Sequence, residues 1–461
     1  MRVKVTKYGL DYANKIAAAI VNSELLSLDV PPLEDDFGGG SVSADGIRVT
    51  SLLAPNYNYR LIEPNTLVWS MSGGHLTVEG HYKGSVKVLF APISGSGPFK
   101  ATANDLQLTV RVLLNTDQSR PKVDIIDCQS NLNDVHLEIG GGIVGWIMNR
   151  LEDQIASRLT PKLQALVCER VTNFIEKDVN KKLQTIPIIV KLDDSTQLDY
   201  GLMATPAVSS DSLELRHKGE VISADGSALP FKMFKESFDE SDVSTKNSKM
   251  LHIAVSDRMF NSYLYHSFYS GYRSLVVDKV TSPERAKFLA AQCSATEMCI
   301  GNYLADYRQA YGNSNLSAIL ELTDPAIVEI VDGIGQCKAN GSISLLADGR
   351  AILTANVSAE VALSVRVDSQ VEGTLLKGLI SFNSLIVSSA GQSEIASLND
   401  PFLMDYIVDT AKLVVEAEMN AILGAGTPIP MPRGTNLTNA ETVFVRNQLL
   451  LFCDFEYSPG K

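Results

Sequence analysis

The sequence lacks three features that would point to common functional classes. It has no apolar run of about eighteen residues, the length that a membrane-spanning helix needs. It has no Cys-x-x-Cys pair, which argues against zinc ribbons and thioredoxin-like redox sites. It has no basic excess, with 20 Lys and Arg against 23 Asp and Glu in residues 1–200 and 20 against 30 in the remainder. Because phosphate binding depends on clustered Lys and Arg, we expect no nucleic-acid partner.

Motifs of catalysis are missing as well. The sequence contains no Gly-x-Ser-x-Gly turn, no His-Glu-x-x-His pair and no P-loop, and its six histidines are scattered. The run Glu34-Asp35-Asp36 lacks the alternating spacing of a calcium loop. We therefore expect a protein that is not an enzyme and that holds no cofactor or metal.

Cysteines and glycosylation motifs indicate the compartment. The N-terminus has no apolar segment of a signal peptide, so a secreted protein would be represented here by its mature chain. Six cysteines permit full pairing, and four Asn-x-Ser/Thr motifs are candidate glycosylation sites. The motifs begin at Asn315, Asn340, Asn356 and Asn436. Together these features favour an oxidising, glycosylating route and a secreted, extracellular protein.

Hydrophobic periodicity in the first half predicts a helix, then strands, then a long helix. Apolar residues recur at three- and four-residue steps from Leu10 to Leu26, with Asn14, Lys15 and Asn22 on the other side. Strict alternation from Asp105 to Leu114 predicts a half-buried strand. Helical spacing resumes at Ile147 and continues for about eight turns.

The second half repeats this order of elements. We predict a helix over Met298–Tyr311, a long strand over Leu353–Val367 and a helix over Pro401–Leu423. The chain is therefore read as two copies of one α+β unit, in which amphipathic helices cover a twisted sheet. The predicted domains are an N-terminal one at 1–190, a central sheet and linker at 191–245, and a C-terminal one at 246–461.

Several segments resemble one family of proteins. They are Tyr8–Ala13, Val144–Ile147, Val167–Asn173, Gln184–Pro187, Asp199–Leu202, Pro428–Pro432 and Leu449–Phe452. Each is similar to the matching part of the bactericidal/permeability-increasing and lipopolysaccharide-binding protein family, whose superfamily includes the cholesteryl ester and phospholipid transfer proteins. The resemblance extends over nearly the whole chain and is densest in residues 1–220.

The resemblance implies a fold and a disulfide. The expected fold is an elongated two-domain boomerang in which each domain is a highly twisted antiparallel β-barrel packed with long amphipathic helices. A central sheet joins the two domains. The family's single disulfide corresponds to Cys128 and Cys168. For the other four cysteines, Cys293 with Cys299 and Cys337 with Cys453 is a plausible pairing, although sequence does not fix connectivity.

The resemblance also implies lipid binding. Family members hold acyl chains in apolar pockets, with the headgroup near solvent, and some recognise lipopolysaccharide in innate immunity and antimicrobial defence. Our candidate lipid-binding surface is the inner face of the first helix, formed by Tyr12, Ala13, Ile16, Ala17 and Ile20. A pure core role for these residues is an equal alternative.

The expected partners are phospholipid or another amphipathic lipid, with lipopolysaccharide or a membrane surface as further expectations. A lipid-transfer protein and a structural protein without ligand are the alternative functions. The basic tip that attracts lipid A phosphates in some members is missing here, which argues against strong lipopolysaccharide binding.

Overall fold

A computed structural model describes residues 1–28, 30–37, 39–53, 56–88, 91–149, 152–225, 248–331, 333–370, 373–388, 393–394, 401–429, 431–432 and 434–458. The chain divides into two compact units. The N-terminal unit comprises Lys4–Ile186 and Leu202–Arg216, and the C-terminal unit comprises Met1–Val3, Pro187–Gly201 and His217–Lys461. Residues 226–245 of the predicted central segment, and the two residues after it, lie outside the described residues.

Strands and helices of the first 186 residues follow the predicted order. They are β1 (Arg2–Val5), α1 (Lys7–Leu26), β2 (Leu33–Phe37), β3 (Gly40–Leu52), β4 (Asn56–Ile62), β5 (Thr66–Ser72), β6 (Leu76–Val88), β7 (Ala91–Asp117), β8 (Arg120–Ile139), α2 (Gly142–Asn149), α3 (Glu152–Asn173), a π-helical turn (Phe174–Val179) and α4 (Asn180–Gln184).

The sheet of the N-terminal unit is built around the 27-residue strand β7. Its strands run in the order β2-β3-β6-β7-β5-β4, all antiparallel, and β8 pairs with β7 along its other edge. Alternation explains the burial of this strand: Leu106 and Leu108 are fully buried, whereas Gln107 and Thr109 are exposed. The strand predicted at Asp105–Leu114 is therefore confirmed as part of β7.

Short strands occupy the region between residues 187 and 225. They are β9 (Ile189–Lys191), β10 (Thr196–Asp199), β11 (Ala207–Val208), β12 (Leu213–Arg216) and β13 (Glu220–Ser223). In the C-terminal unit, β13, β10 and β9 form a three-stranded antiparallel sheet. In the N-terminal unit, β11 pairs with β12.

The remaining elements belong to the C-terminal unit. They are β14 (Leu251–Ser256), α5 (Asp257–Tyr269), β15 (Ser274–Val277), α6 (Pro283–Ala286), a 3₁₀ turn (Lys287–Leu289), α7 (Ile300–Tyr303), α8 (Ala305–Tyr311), β16 (Leu316–Leu322), β17 (Ile327–Val331), β18 (Ile334–Ala347), β19 (Arg350–Gln370), β20 (Gly373–Ser388), α9 (Pro401–Ala425), β21 (Thr427–Pro428), β22 (Thr435–Val445) and β23 (Gln448–Tyr457).

A second curled antiparallel sheet forms the C-terminal unit. Its order is β15-β16-β18-β19-β20-β21, and β17 pairs with β18. The strands β14, β23 and β22 pair with one another in a separate sheet. The predicted strand Leu353–Val367 is confirmed within β19, and the predicted helix Pro401–Leu423 is confirmed as α9. Both units thus have the expected α+β architecture of a curled half-barrel sheet with helices.

Two helix predictions for this unit need correction. The segment Met298–Tyr311 is two short helices, because Leu304 between them has an extended backbone. The helix α5, which directly follows β14, was not predicted. Its buried face carries Asn261 and Ser262, so no apolar period marks it. Asn261 exchanges two hydrogen bonds with the backbone of Val328, at 2.9 and 2.7 Å, which compensates the burial of its amide.

The cysteine pairing also differs from expectation. Disulfides join Cys128 to Cys168 and Cys293 to Cys299. Cys337 and Cys453 are free thiols, so the plausible bridge between them is wrong. The two lie on strands of different sheets, where Cys337 is paired with Val328 and Val361, and Cys453 with Leu251.

We expect the chain to lose stability as pH falls below about 6.5, the ordinary pKa of a histidine side chain. His266 on α5 is 1% exposed, and its Nδ1 has no hydrogen-bond partner in the described structure. Burial lowers the pKa of its imidazole, although the charge of Glu220 acts in the opposite direction. As pH falls, this histidine is therefore protonated in the unfolded chain before it is protonated in the folded chain. Its contribution to the free energy of unfolding is complete above the unfolded pKa and is lost as pH falls from that value through the lower folded pKa.

Denaturant unfolding at about pH 7.5 and 5.5 checks this expectation. The difference in free energy of unfolding between the two pH values should be smaller in His266→Gln than in the wild type. The exposed His75 supplies a control, His75→Gln, that should keep the wild-type difference. Equal losses in the wild type and His266→Gln would contradict the assignment to His266.

Candidate functional site

Helix α1 is attached to the sheet of the N-terminal unit by polar side chains. Asn14 donates from Nδ2 to the carbonyl oxygen of Tyr57 at 3.2 Å and accepts from Nε1 of Trp69 at 2.9 Å. The hydroxyl of Tyr57 donates to Oδ1 of Asn22, which lies further along the same helix. The rings of Tyr57 and Trp69 stack with centroids 5.2 Å apart. This polar face of α1 therefore lies against β4 and β5.

Ionisable groups extend the same contact. Tyr59 on β4 donates from its hydroxyl to Asp11 Oδ1 at 2.8 Å, and Lys7 bonds the same carboxylate one helical turn away. The hydrogen bond from Lys7, reinforced by that from Tyr59, holds the pKa of Asp11 below its usual range. Burial raises the pKa of Tyr57 to about 12. At neutral pH Asp11 therefore accepts hydrogen bonds as a carboxylate, while Tyr57 remains a protonated donor.

The five predicted site residues lie outside this polar face, with Ala13, Ile16 and Ile20 opposite it and Tyr12 and Ala17 beside it. At 100° per residue, Ile16 and Ile20 point away from the face that carries Asp11, Asn14 and Asn22. Ala13 is exposed, and the other four are half-buried. The described core cluster of this unit takes Leu25 and Val21 from α1 and includes none of the five. Polar side chains occupy the contact of α1 with β4 and β5, so the five residues do not form that contact, and their role in lipid binding stays a prediction.

Helix α3 does pack into the core. Val167 and Val171 are buried in the cluster, and the disulfide between Cys168 and Cys128 ties the helix to β8. Arg170 on α3 forms an ion pair with Glu24 of α1, with Nη2 and Oε2 2.8 Å apart. The two helices are thus linked at one end of α1, beyond the apolar face.

A cavity of about 60 Å³ lies in the C-terminal unit between α9, the sheet and the segment that carries α6 and α7. Its walls are apolar except for Arg285 and Thr410. The lining residues are Val277, Arg285, Leu289, Ile300, Ala318, Leu320, Ile343, Leu345, Leu353, Leu403, Tyr406, Ile407, Thr410, Ala411 and Val414. Local sequence patterns did not predict this cavity. Small residues at Ala318 and Ala411, among otherwise bulky apolar positions, are the only sequence signal for it.

Polar contacts close the cavity on the side of α6. Arg285 forms an ion pair with Glu418 of α9. The hydroxyl of Tyr406 donates to the carbonyl oxygen of Phe288, and that of Tyr307 donates to the carbonyl oxygen of Leu289 at 3.0 Å. Burial raises the pKa of Tyr406 to about 12, so this hydroxyl remains a donor at physiological pH. These contacts hold the α6 segment against α9.

An open trough of about 930 Å³ marks one end of the N-terminal sheet, along β2, β3, β6 and β7. The carboxylate residues Glu34, Asp35 and Asp36 line it together with serines, and Lys83 is the one cation among its described lining residues. Lys83 is 3.6 Å from the carboxylate of Asp45, and Lys162 donates to the backbone carbonyl of Glu34 at 2.8 Å. The charge of this surface is therefore mainly negative.

Other classes of site find no support in the part of the chain that the structure describes. No group of three or more His, Cys, Asp or Glu side chains there is arranged to hold a metal ion. Across the same ranges, no helix has the length and apolar character needed to cross a membrane. The apolar face of α1 and the cavity under α9 are the candidate sites that remain.

Comparison with known proteins places these features in one family. Models of the N-terminal and C-terminal domains of the LBP / BPI / CETP family match residues 9–186 and 190–457. The lipopolysaccharide-binding protein of Rattus norvegicus is 24% identical over 472 residues, covering 99% of this chain and 93% of its own. A putative BPI/LBP family protein of Arabidopsis thaliana is 22% identical over 467 residues, covering 99% and 92%.

The fold agrees with a solved structure. The crystal structure of lipopolysaccharide binding protein matches with a TM-score of 0.65 at 20% identity, over 99% of this chain and 98% of that one. The two family models together span nearly all of the sequence, as the segments Tyr8–Ala13 to Leu449–Phe452 predicted. The chain belongs to the LBP / BPI / CETP family.

Proposed function

We propose that this protein is a secreted, non-enzymatic lipid-binding protein that takes up the acyl chains of a phospholipid or another amphipathic lipid. The observation that carries the proposal is the apolar face of α1, which is half-buried and lies outside the core cluster that the described residues form. Burial of acyl chains against such a surface is favourable by about 0.8 kcal/mol per CH₂. The relatives named for binding lipopolysaccharide support the same class of ligand.

A second acyl-chain site in the C-terminal unit is part of the proposal. The cavity of about 60 Å³ is far smaller than the roughly 300–1,000 Å³ of ordinary ligand pockets. It would therefore hold the end of an alkyl chain and not a whole lipid. Deeper entry requires the α6 segment to move from α9, which breaks the ion pair between Arg285 and Glu418.

Charge decides the headgroup preference in this proposal. The trough lined by Glu34, Asp35 and Asp36 repels phosphate-rich headgroups such as lipid A, because like charges raise the energy of association. Neutral and zwitterionic headgroups carry no such penalty. We therefore propose phospholipid as the preferred ligand, with lipopolysaccharide recognition as a weaker, salt-dependent activity.

Charging the apolar face of α1 tests the first site. The double variant Ile16→Asp/Ile20→Asp should weaken phospholipid binding by about tenfold or more, because each buried isoleucine contributes about 1.5–3 kcal/mol. Native mass spectrometry of the purified chain and a fluorescent-phospholipid titration measure the effect. Ala19→Asp, an exposed position on the same helix, is the matched control. A folded double variant that binds phospholipid with wild-type affinity would rule out this face as the lipid-binding site.

Filling the cavity tests the second site. Ala411→Leu should increase the free energy of unfolding, because it fills apolar space, and should reduce the amount of bound lipid. The control is Ala417→Leu, which changes an exposed position on α9. A variant that is stabilised while keeping its full lipid content would identify the cavity as a packing defect.

Reversing the charge of the trough tests the headgroup preference. Glu34→Lys/Asp35→Lys/Asp36→Lys should bind lipopolysaccharide more tightly than the wild type at low salt, and the gain should shrink as salt increases. Binding to phosphatidylcholine vesicles should stay the same, which serves as the internal control. Equal lipopolysaccharide affinity in both proteins would show that the trough does not influence headgroup choice.

A further inference from the structure

Two glycosylation motifs face each other in the sheet of the C-terminal unit. Asn340 and Ser342 lie on β18, and Asn356 and Ser358 lie on the antiparallel strand β19. Asn340 is paired with Ser358, and Asn356 is paired with Ser342. Each asparagine is therefore directly opposite the hydroxyl residue that completes the other motif.

All four residues lie on the outward face of the sheet. Residues alternate between faces along a strand, and the neighbours Ile343 and Ala355 are 7% and 0% exposed, which makes theirs the inward face. Asn340 and Asn356 are exposed. Neither side-chain amide forms a hydrogen bond within the described part of the chain, so neither must give up a protein contact to react.

The two asparagines lie close together on the sheet. They are diagonal neighbours across an antiparallel ladder, which places their side chains about 7–8 Å apart. A branched oligosaccharide is wider than this gap. Asn315 and Asn436 are different, since Asn315 precedes β16 and Asn436 is a half-buried position on β22 opposite Glu456.

We propose that Asn340 and Asn356 are a coupled pair of N-glycosylation sites, at which a glycan on one restricts enzyme access to the glycan on the other. The proposal rests on the secretory route in the proposed function. The donor is an oligosaccharide linked to a lipid pyrophosphate. The Asn Nδ2–C1 bond forms as the bond from C1 to the pyrophosphate oxygen breaks, and the amide loses one proton as the lipid pyrophosphate leaves.

The arrangement has a consequence for the surface of this unit. Two glycans would cover the outward face of β18 and β19, which is polar there, and keep it from lipid surfaces and other chains. Enzymes that trim glycans act on the folded protein, so crowding should leave both glycans in the untrimmed, mannose-rich form. Asn315 has no such neighbour, and its glycan should be trimmed further.

Site-resolved mass spectrometry of glycopeptides, on the full chain secreted from a eukaryotic host, tests the coupling. Ser342→Ala removes the motif at Asn340 and Ser358→Ala removes the motif at Asn356, while both asparagines stay in place. We expect glycans at both sites in the wild type and a rise in the trimmed fraction at the remaining site in each variant. Ser317→Ala, which removes the motif at Asn315, should change neither.

Two results would overturn the proposal. One is an unmodified Asn340 or Asn356 from a host that glycosylates a reporter protein in the same culture. The other is a trimmed fraction that stays the same when the partner motif is removed, in both the Ser→Ala variants and the alternative variants Asn340→Gln and Asn356→Gln. Lipid content measured on the same preparations separates this result from the lipid-binding proposal, because a lipid-free chain with coupled glycans would refute only the latter.

Discussion

The hydrogen bonds between α1 and the strands β4 and β5 are the constraint on which the proposed lipid site depends. Asn14 and Asn22 accept hydrogen bonds from the side chains of Trp69 and Tyr57, and these contacts fix the rotation of the helix about its axis. Leaving such groups buried without partners costs about 1–3 kcal/mol each. Rolling the helix to bury Ile16 and Ile20 against the sheet would break these bonds, so its apolar side stays directed elsewhere.

The two units contain similar elements but arrange their apolar surfaces differently. In each half of the chain, a short strand leads into a helix, β1 into α1 and β14 into α5, and a long curled sheet follows. The N-terminal unit keeps an apolar helix face outside its core cluster. The C-terminal unit instead places α9 over its sheet and leaves a small apolar cavity, beside which lie an ion pair and two hydrogen-bonded tyrosine hydroxyls. A shared architecture therefore produces a half-buried apolar helix face in one unit and a small apolar cavity in the other.

Helices and strands with one solvent-exposed face could be predicted from the sequence, because burial of the other face imposes a regular spacing on their apolar residues. This holds for the alternating segments of β7 and β19 and for the amphipathic helix α9. The helix α5 was not predicted because Asn261 and Ser262 on its buried face are polar and form hydrogen bonds with strands that lie far away in sequence. The side of α1 that contacts the sheet was not predicted for a related reason. The aromatic partners of Asn14 and Asn22 are more than thirty residues away in the sequence. The cavity depends on long-range packing and leaves little trace in local patterns.

The two unpaired cysteines have a chemical consequence for a protein that also carries disulfides. Burial raises the pKa of the Cys337 thiol to about 11 and that of Cys453 to about 12. Thiol–disulfide exchange proceeds through the thiolate, which is scarce at neutral pH when the pKa is this high. Cys453 is also fully shielded from solvent. In the folded chain, the two reduced sulfurs therefore attack the bridges at Cys128–Cys168 and Cys293–Cys299 only slowly at neutral pH, so folding itself protects the disulfide pattern from scrambling.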